Sequence, residues 1–566
     1  MYMKPMPTSR FNNPFAFCRI IGAALLICSG LIHCLAQTNK VAQRPIPSSI
    51  VNRALSASIK MYGIDSLSRQ QNSAPFSGVV VSADGFILTV AHSTTPGHHY
   101  QVIFADGRKG TAKALGRLVV DQQSNLPDIA LMKMQGEGPW PFAEMGWSSS
   151  TVIQQACFGL SYPETLPFNR PFLRAGHILR QQDDYGLMWS SCIMEPGDSG
   201  GPLFDLLGRV IGLHSRIDAA EGINYEVPVD SYRKYWSSLT QPVAIGRYPS
   251  STDPIGTDPQ KERLATQSAD RPAKLPKTNL QVFPVSSMLD GDRLQVLGTA
   301  FTLSNKGTVI LSKSSMVADH PVLMTGGQSH PLTVLLRDET TDLVALATPK
   351  ELKRATPITT LATRPLPDSL LGIGLWSLLD GNTSKQGVLG MMPQAFPRIP
   401  VPGSFDAQMR EIEGLPTLTK VDSMGAAYRA GLRSGDRILA INGHDVSSAL
   451  KINAAMRQYS AGDRLTVQYR RDTAILDAGI VLSRWPVREN PHPANHIPGG
   501  KSDRRDTFPS VFIHDSRIHA QECGSPVIDS KGEFIGINIA RYSHTACLAI
   551  PRDVVKNFLS NLRPAR

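Results

Sequence analysis

The sequence predicts a mainly β protein made of two related units, the second interrupted by an inserted domain. Three observations carry that prediction. First, β-rich runs joined by Gly-containing turns recur, as in Phe76-Ser77-Gly78-Val79-Val80-Val81-Ser82-Ala83-Asp84-Gly85-Phe86-Ile87-Leu88-Thr89-Val90-Ala91-His92, where an Asp-Gly between two runs signals a hairpin. Second, residues 298–314 repeat this hairpin at an offset of 222, and Glu522-Cys523-Gly524-Ser525-Pro526 repeats Asp198-Ser199-Gly200-Gly201-Pro202 at an offset of 324. Third, Asp342 and Cys523 are 181 residues apart, against 71 for Asp128 and Ser199, and the excess of 110 has room for one small domain.

The 566 residues are 41% apolar and 19% charged, which suits several folded domains. The formal charge of +11 is dispersed, with no long Lys/Arg block, so no nucleic-acid partner is expected. Basic residues, an apolar run from Ile20 to Ile32 and Cys34-Leu35-Ala36 read as a signal peptide over residues 1–36. That run is short for a bilayer, so the expectation is an exported protein, periplasmic or extracellular, without a stable membrane span. Of seven cysteines, Cys157, Cys192, Cys523 and Cys547 lie beyond the leader, with three pairings open, Cys523 to Cys547 among their bonds. No zinc-type spacing occurs, and neither metal nor cofactor is expected.

The chemistry centres on Pro196-Gly197-Asp198-Ser199-Gly200-Gly201-Pro202. A serine hydroxyl needs a base to take its proton and fixed N–H donors for the developing oxyanion. His92, 107 residues upstream at the end of a strand, is the candidate base, and Asp128, at the head of the next strand and 36 residues after it, is the candidate to orient the ring. These runs, with Gly208-Arg209-Val210-Ile211-Gly212 after the serine, resemble the trypsin-fold serine peptidases, most closely their bacterial HtrA type. The resemblance implies two orthogonal six-stranded barrels over residues 48–237. It assigns His92 as base and proton donor, Asp128 as orienter, Ser199 as nucleophile, and the Gly197 and Ser199 amides as oxyanion hole. It also places the substrate pocket at Ile193, His214 and Ser215. His214 either receives a substrate carboxylate, as in glutamate-specific relatives, or hydrogen-bonds within the barrel. Asp198 stands where HtrA-type enzymes usually carry Asn, and its balancing charge is open.

Residues 238–278, rich in Pro and small polar residues, read as a flexible linker. The second copy, 279–398 resumed at 507–563, places Ser314 at the His92 position, keeps a carboxylate in Asp342 and has Cys523 for the serine. Its nearby rings, His519 and His544, lie off the motif, and a thiol without a base is mostly protonated. A degenerate pseudo-peptidase with a structural or docking role follows.

Between its parts, Leu418 to Gly443 resembles a PDZ domain in its strand-helix-AGL-x-x-GD-x-I-x-x-ING order, giving an α+β domain over 399–486 and a return linker over 487–506. Residues Ser447 to Tyr459 would form the groove helix, with Leu450, Ala454 and Arg457 at helical spacing. The resemblance implies capture of peptide C-termini, and Gly403-Ser404-Phe405-Asp406 is the nearest candidate for the carboxylate loop, with an acidic residue in it.

The complete expectation is two trypsin-like double-barrel units, the second degenerate, plus an inserted PDZ domain. The function expected is an exported serine endopeptidase that cuts unfolded proteins through a Ser-His-Asp triad and an acyl-enzyme. The alternative is a catalytically silent peptide-binding or chaperone-like scaffold. Protein or peptide substrates are the expected partners; substrate identity and oligomeric state are open.

Overall fold

A computed structural model describes residues 46–118, 127–217, 223–268, 275–289, 292–302, 308–349, 351–352, 355–379, 383–401, 403–423, 425–446, 448, 452, 455–456, 459–484 and 497–562. The expected signal peptide and most of the expected groove helix lie outside the described residues.

The first unit opens with helix α1 (Ser48–Ala57), which buries Val51, Ala54 and Ala57, and continues into β1 (Ser58–Ile64). The first sheet is completed by β2 (Phe76–Val80), β3 (Phe86–Thr89), β4 (His99–Phe104), β5 (Lys109–Leu118) and β6 (Ala130–Gln135). Its path β5-β4-β1-β2-β3-β6 closes on itself through a β5–β6 pairing. The second barrel is formed by β7 (Ala156–Ser161), β8 (Phe172–Arg180), β9 (Met188–Ser190), β10 (Pro202–Phe204), β11 (Val210–Ile217) and β12 (Asn224–Pro228), closed in the order β10-β11-β12-β9-β8-β7. Inward residues of both barrels, among them Val79, Leu88, Leu131, Phe158, Phe204 and Leu213, share one core. Burying each such side chain contributes about 1.5–3 kcal/mol. The β3 and β10 ends therefore face each other across the crevice, which is where His92 and Ser199 emerge.

The second unit repeats this plan. Its first sheet runs over Val282–Leu289, Asp292–Thr302, Thr308–Lys313, Asp319–Thr325, Thr333–Asp338 and Leu343–Ala347, with Gln328–Pro331 at its edge. Its second barrel is closed from Gly374–Leu378, Ser384–Phe396, Phe508–His514, Cys547–Pro551, Phe534–Arg541 and Pro526–Asp529. The inserted domain leaves after Phe396 and returns before Phe508, two residues paired across neighbouring strands. It holds a separate core around Leu418, Ile438, Val467 and Ile480.

The two units are docked barrel to barrel. Leu166 and Phe172 of the first unit lie in the core of the second. Gly390 permits this approach, since a Cβ there would lie 2.2 Å from the Phe172 ring and 2.3 Å from the Leu173 carbonyl. The buried Asp515 carboxylate joins both, accepting from the Ala175 N–H at 2.8 Å and the Val388 N–H at 2.7 Å.

Within the segment expected as a flexible linker over 238–278, residues 244–258 make specific contacts with the first unit. Ala244–Ile245 pairs in parallel with β5, Asp258 binds Arg209 at 2.8 Å, and the Ile255 carbonyl accepts from Trp147 Nε1 at 3.0 Å. Composition missed this because the segment is held by polar and backbone bonds more than by apolar burial.

Candidate active site

His92 lies in a single turn, Ala91–Ser93, directly after β3, and Asp128 lies two residues before β6. Antiparallel pairing of Thr89 with Ala130 sets these two ends side by side. His92 Nδ1 is 2.7 Å from Asp128 Oδ2, and the His92 backbone N–H donates to Asp128 Oδ1 at 3.0 Å. On its other side, His92 Nε2 is 3.1 Å from Ser199 Oγ. The His92 side chain is 41% accessible while that of Asp128 is 1%. Burial alone would raise the Asp128 carboxyl, but the His92 ring and the Ser215 hydroxyl, which donates to Asp128 Oδ2 at 2.7 Å, hold it below the ordinary carboxylate value.

The loop around Ser199 is fixed by its glycines and by β2. Gly197 has φ +95°, and a Cβ there would lie 2.4 Å from the Glu164 nitrogen; Gly200, at φ +79°, would meet Thr89 Oγ1 at 2.1 Å. Ser77 binds the loop twice, its N–H donating to the Ser199 carbonyl and its hydroxyl to the Gly197 carbonyl, each at 2.9 Å. The Pro196 carbonyl accepts from the Glu164 N–H at 2.8 Å, so the trans peptide turns the Gly197 N–H the opposite way. Among the described residues, the Gly197 and Ser199 N–H groups have no acceptor.

Asp198 is balanced by Arg174, a partner that sequence reasoning missed. Arg174 Nη1 lies 2.5 Å from Asp198 Oδ2, both side chains are fully buried, and Arg174 also binds Ser161 Oγ. The motif flagged an uncompensated acid, but its partner comes from β8, 24 residues earlier.

The residues expected to line a pocket are placed differently. Ser215 turns its hydroxyl to Asp128 and so backs the carboxylate that meets His92. His214 is fully buried, with Nδ1 2.7 Å from Glu226 Oε2, and Glu226 also accepts from Ser190 at 2.6 Å. Its Nε2 faces the barrel wall, since a Cβ on Gly159 would lie 2.7 Å from it. Glu226 thus holds the ring at Nδ1, and among the described residues Nε2 has no hydrogen-bond partner. Ile193 is buried at 5% accessibility.

In the second unit, Ser315 and not Ser314 occupies the His92 position. The Ser315 N–H donates to Asp342 Oδ1 at 2.7 Å and its hydroxyl to Asp342 Oδ2 at 2.8 Å, the two contacts His92 makes with Asp128. Arg117 binds the Ala91 carbonyl, as Arg337 binds that of Ser314 at 2.9 Å. The second hairpin is three residues longer, since the pair Thr299–Leu311 matches Val79–Leu88 and the offset rises from 220 to 223 across it, so the fixed offset of 222 falls one short. Cys523 is fully buried; burial pushes its thiol up, against the pull of Lys313. Cys523 and Cys547 are free thiols packed with Ile518, and Cys157 and Cys192 are also free, so the Cys523–Cys547 bond expected as one option is not formed.

In the inserted domain, the Asp406 carboxylate of the candidate loop accepts from the Ala426 N–H at 2.9 Å, and the Phe405 carbonyl from Ala427 at 2.8 Å. The loop thus serves the start of the Ala426–Arg429 helix. Among the described residues, no helix is long and apolar enough to cross a membrane, and no group of three or more His, Cys, Asp or Glu could hold a metal ion.

Two family models match the chain: a trypsin-like peptidase domain over residues 76–213 and a PDZ domain over residues 404–482. The serine protease HTRA1 of Xenopus tropicalis is 26% identical over 285 residues, covering 47% of this chain and 60% of that protein. A probable periplasmic DegP-like serine endoprotease of Halomonas elongata is 25% identical over 398 residues, covering 66% and 71%. A solved serine endoprotease from Yersinia pestis aligns over 77% of this chain and 97% of its own at 15% identity, with a TM-score of 0.29. The chain thus spans about 60% of the HTRA1 relative that it matches.

Proposed function

We propose that this HtrA-type chain, with its trypsin-like peptidase and PDZ domains, is a serine endopeptidase that hydrolyses peptide bonds of unfolded proteins. One observation carries the reading: a line of hydrogen bonds runs from Asp128 through His92 to Ser199, beside N–H groups of Gly197 and Ser199 that have no acceptor among the described residues. In this reading His92 Nε2 removes the Ser199 proton as Oγ attacks the substrate carbonyl. The Gly197 and Ser199 amides receive the oxyanion, a term worth about 2.7–4 kcal/mol per donor. Asp128 holds the ring in the tautomer that accepts at Nε2 and stabilises the imidazolium. His92 then passes its proton to the leaving amine, giving an acyl-enzyme that water cleaves by the same route reversed.

The buried Glu226 beside His214 argues against a preference for Glu or Asp before the cut bond. Peptide-library cleavage reads this directly, and a Glu preference would overturn it. Export is supported by the leader-like first 36 residues and by relatives named periplasmic. The PDZ and degenerate units serve recognition or regulation.

The test is incubation of the protein and its Ser199→Ala variant with unfolded casein, together with fluorophosphonate labelling. Cleavage and labelling lost in the variant are the expected result. Sustained casein binding with no cleavage by either protein would instead support the silent scaffold.

A further inference from the structure

The segment Ser191–Pro196 has no strand or helix of its own, yet it leads directly into Gly197 and Ser199. Much of what holds it comes from the degenerate unit. Arg517 Nη2 donates to the Ser191 carbonyl at 2.9 Å, and His544 Nε2 binds the Met194 carbonyl at 2.8 Å. Glu195 Oε1 accepts from Thr545 Oγ1 at 2.6 Å and from Ser543 Oγ at 3.1 Å. The neighbouring Tyr542 hydroxyl binds the Thr165 carbonyl, next to the Glu164 N–H that fixes the Pro196 carbonyl. Four consecutive residues, Tyr542 to Thr545, therefore hold both sides of the turn that aims the Gly197 N–H.

Glu195 makes this arrangement informative. It is 3% accessible and, among the described residues, forms no ion pair; the Ser543 and Thr545 hydroxyls it binds belong to the other unit, with Thr165 of its own unit also acting on it, and burial and the Asp198 charge still leave its carboxyl raised. A buried carboxylate without such donors costs several kcal/mol, so the observed loop conformation depends on the docked turn. The Glu195 N–H also donates to Asp198 Oδ2 at 2.7 Å and its carbonyl accepts from the Asp198 N–H at 3.1 Å, so displacement of Glu195 is passed to the residue before the nucleophile.

We propose that the degenerate unit is the positioning element of the first unit's nucleophile loop, its Tyr542–Thr545 turn setting the Met194–Glu195 backbone and with it the oxyanion-binding Gly197 N–H. Ser543, His544 and Thr545 are positioning residues and touch no substrate. The inference rests on the catalytic reading of Ser199 given above.

The test uses the full chain carrying Ser543→Ala with Thr545→Val, and separately Glu195→Ala, which approaches the same contact from the first unit. A misplaced donor costs about 100-fold, so kcat on a peptide substrate falls by ~100-fold while KM stays within ~3-fold. Thr545→Ser keeps the donor and restores kcat to within a few-fold of the parent. Hydrogen exchange rises in peptides spanning residues 191–199 and stays unchanged in the first barrel, which separates a released loop from an unfolded chain. Unchanged kcat with unchanged exchange in both variants overturns the proposal. If the parent protein cleaves nothing, the catalytic reading of Ser199 fails, while the exchange data still decide whether the turn holds the loop.

Discussion

In the first unit the Gly200 N–H donates to the His214 carbonyl at 2.8 Å and Arg174 pairs with Asp198; in the second the Gly524 N–H donates to the Asn538 carbonyl at 2.7 Å and Lys385 pairs with Glu522 at 2.8 Å. Strand register makes these pairs equivalent: Arg174 is opposite Gly159, itself paired with Leu203, as Lys385 is opposite Ser377, paired with Val527. Gly200 and Gly524 both have positive φ, at +79° and +96°. What differs is the chemistry: Ser315 for His92, Cys523 for Ser199, Ile539 for Ser215, and Gln521 where Gly197 would align. The ion pair and the glycine therefore belong to the construction of the loop, since they persist where the serine and the histidine do not. The conserved acid responds to the same exchange. Burial leaves Asp342 above the usual carboxylate value despite Lys313, whereas His92 and Ser215 draw Asp128 below it.

The sharpest way to break this comparison is to remove each nucleophile in turn. Ser199→Ala lowers kcat on casein by at least ~10⁴-fold, whereas Cys523→Ala leaves casein turnover within ~2-fold; comparable losses from both would mean the second loop reacts. The ion pairs come next. Arg174→Met strands Asp198 in a site where both partners are 0% accessible and costs about 4 kcal/mol in chemical denaturation. Lys385→Met acts on a pair whose side chains are 27% and 21% accessible and costs about 1 kcal/mol.

Acid separates the units by a somewhat smaller amount. Burial holds His514 and His544, both in the second unit, at about 4. Their neutral forms favour the folded state above pH ~6.5, and that contribution is lost as pH falls through 4. Asp515, raised to about 6 by burial, works oppositely: its contribution is present below pH ~4 and lost as pH rises through 6. Two histidines, each lowered by a large margin, oppose Asp515 and the less strongly raised Asp342, leaving a net loss of at most about 3 kcal/mol between pH 7 and 4. Hydrogen exchange at the two pH values reads it, with protection falling first in strands 508–514 and 547–551. A loss of similar size to that of Lys385→Met is expected from Ser215→Ala, which removes a charge-assisted hydrogen bond to Asp128 and lowers kcat/KM by ~10-fold.

The hairpin, the Gly-rich loop and the repeat were readable because each is a local pattern of a few residues. Three features escaped for physical reasons. Arg174 looks like an ordinary strand cation until β7 and β8 pair and bring it under Asp198. Ser315 was displaced to Ser314 because the second hairpin is three residues longer, and an offset counted from its glycine absorbs only two of them. The contacts of Glu195 with Ser543 and Thr545 span 348 and 350 residues and involve small hydroxyls that leave no periodic trace. His214 was read from its place in the strand after the Ser199 loop, but its neighbour across the ladder, Glu226, decides what its ring faces.

The barrel-to-barrel docking has one more consequence, in terms of mass action. A bracing partner supplied as a separate molecule leaves as the solution is diluted, and the braced fraction falls with concentration. Here the partner is carried on the same polypeptide, so its effective concentration is set by chain connectivity and does not change with dilution. Activity per molecule that depends on this contact is therefore constant from nanomolar to micromolar protein. A protease nick between residues 245 and 280 would convert the same contact into a bimolecular one, and only then would dilution loosen the loop.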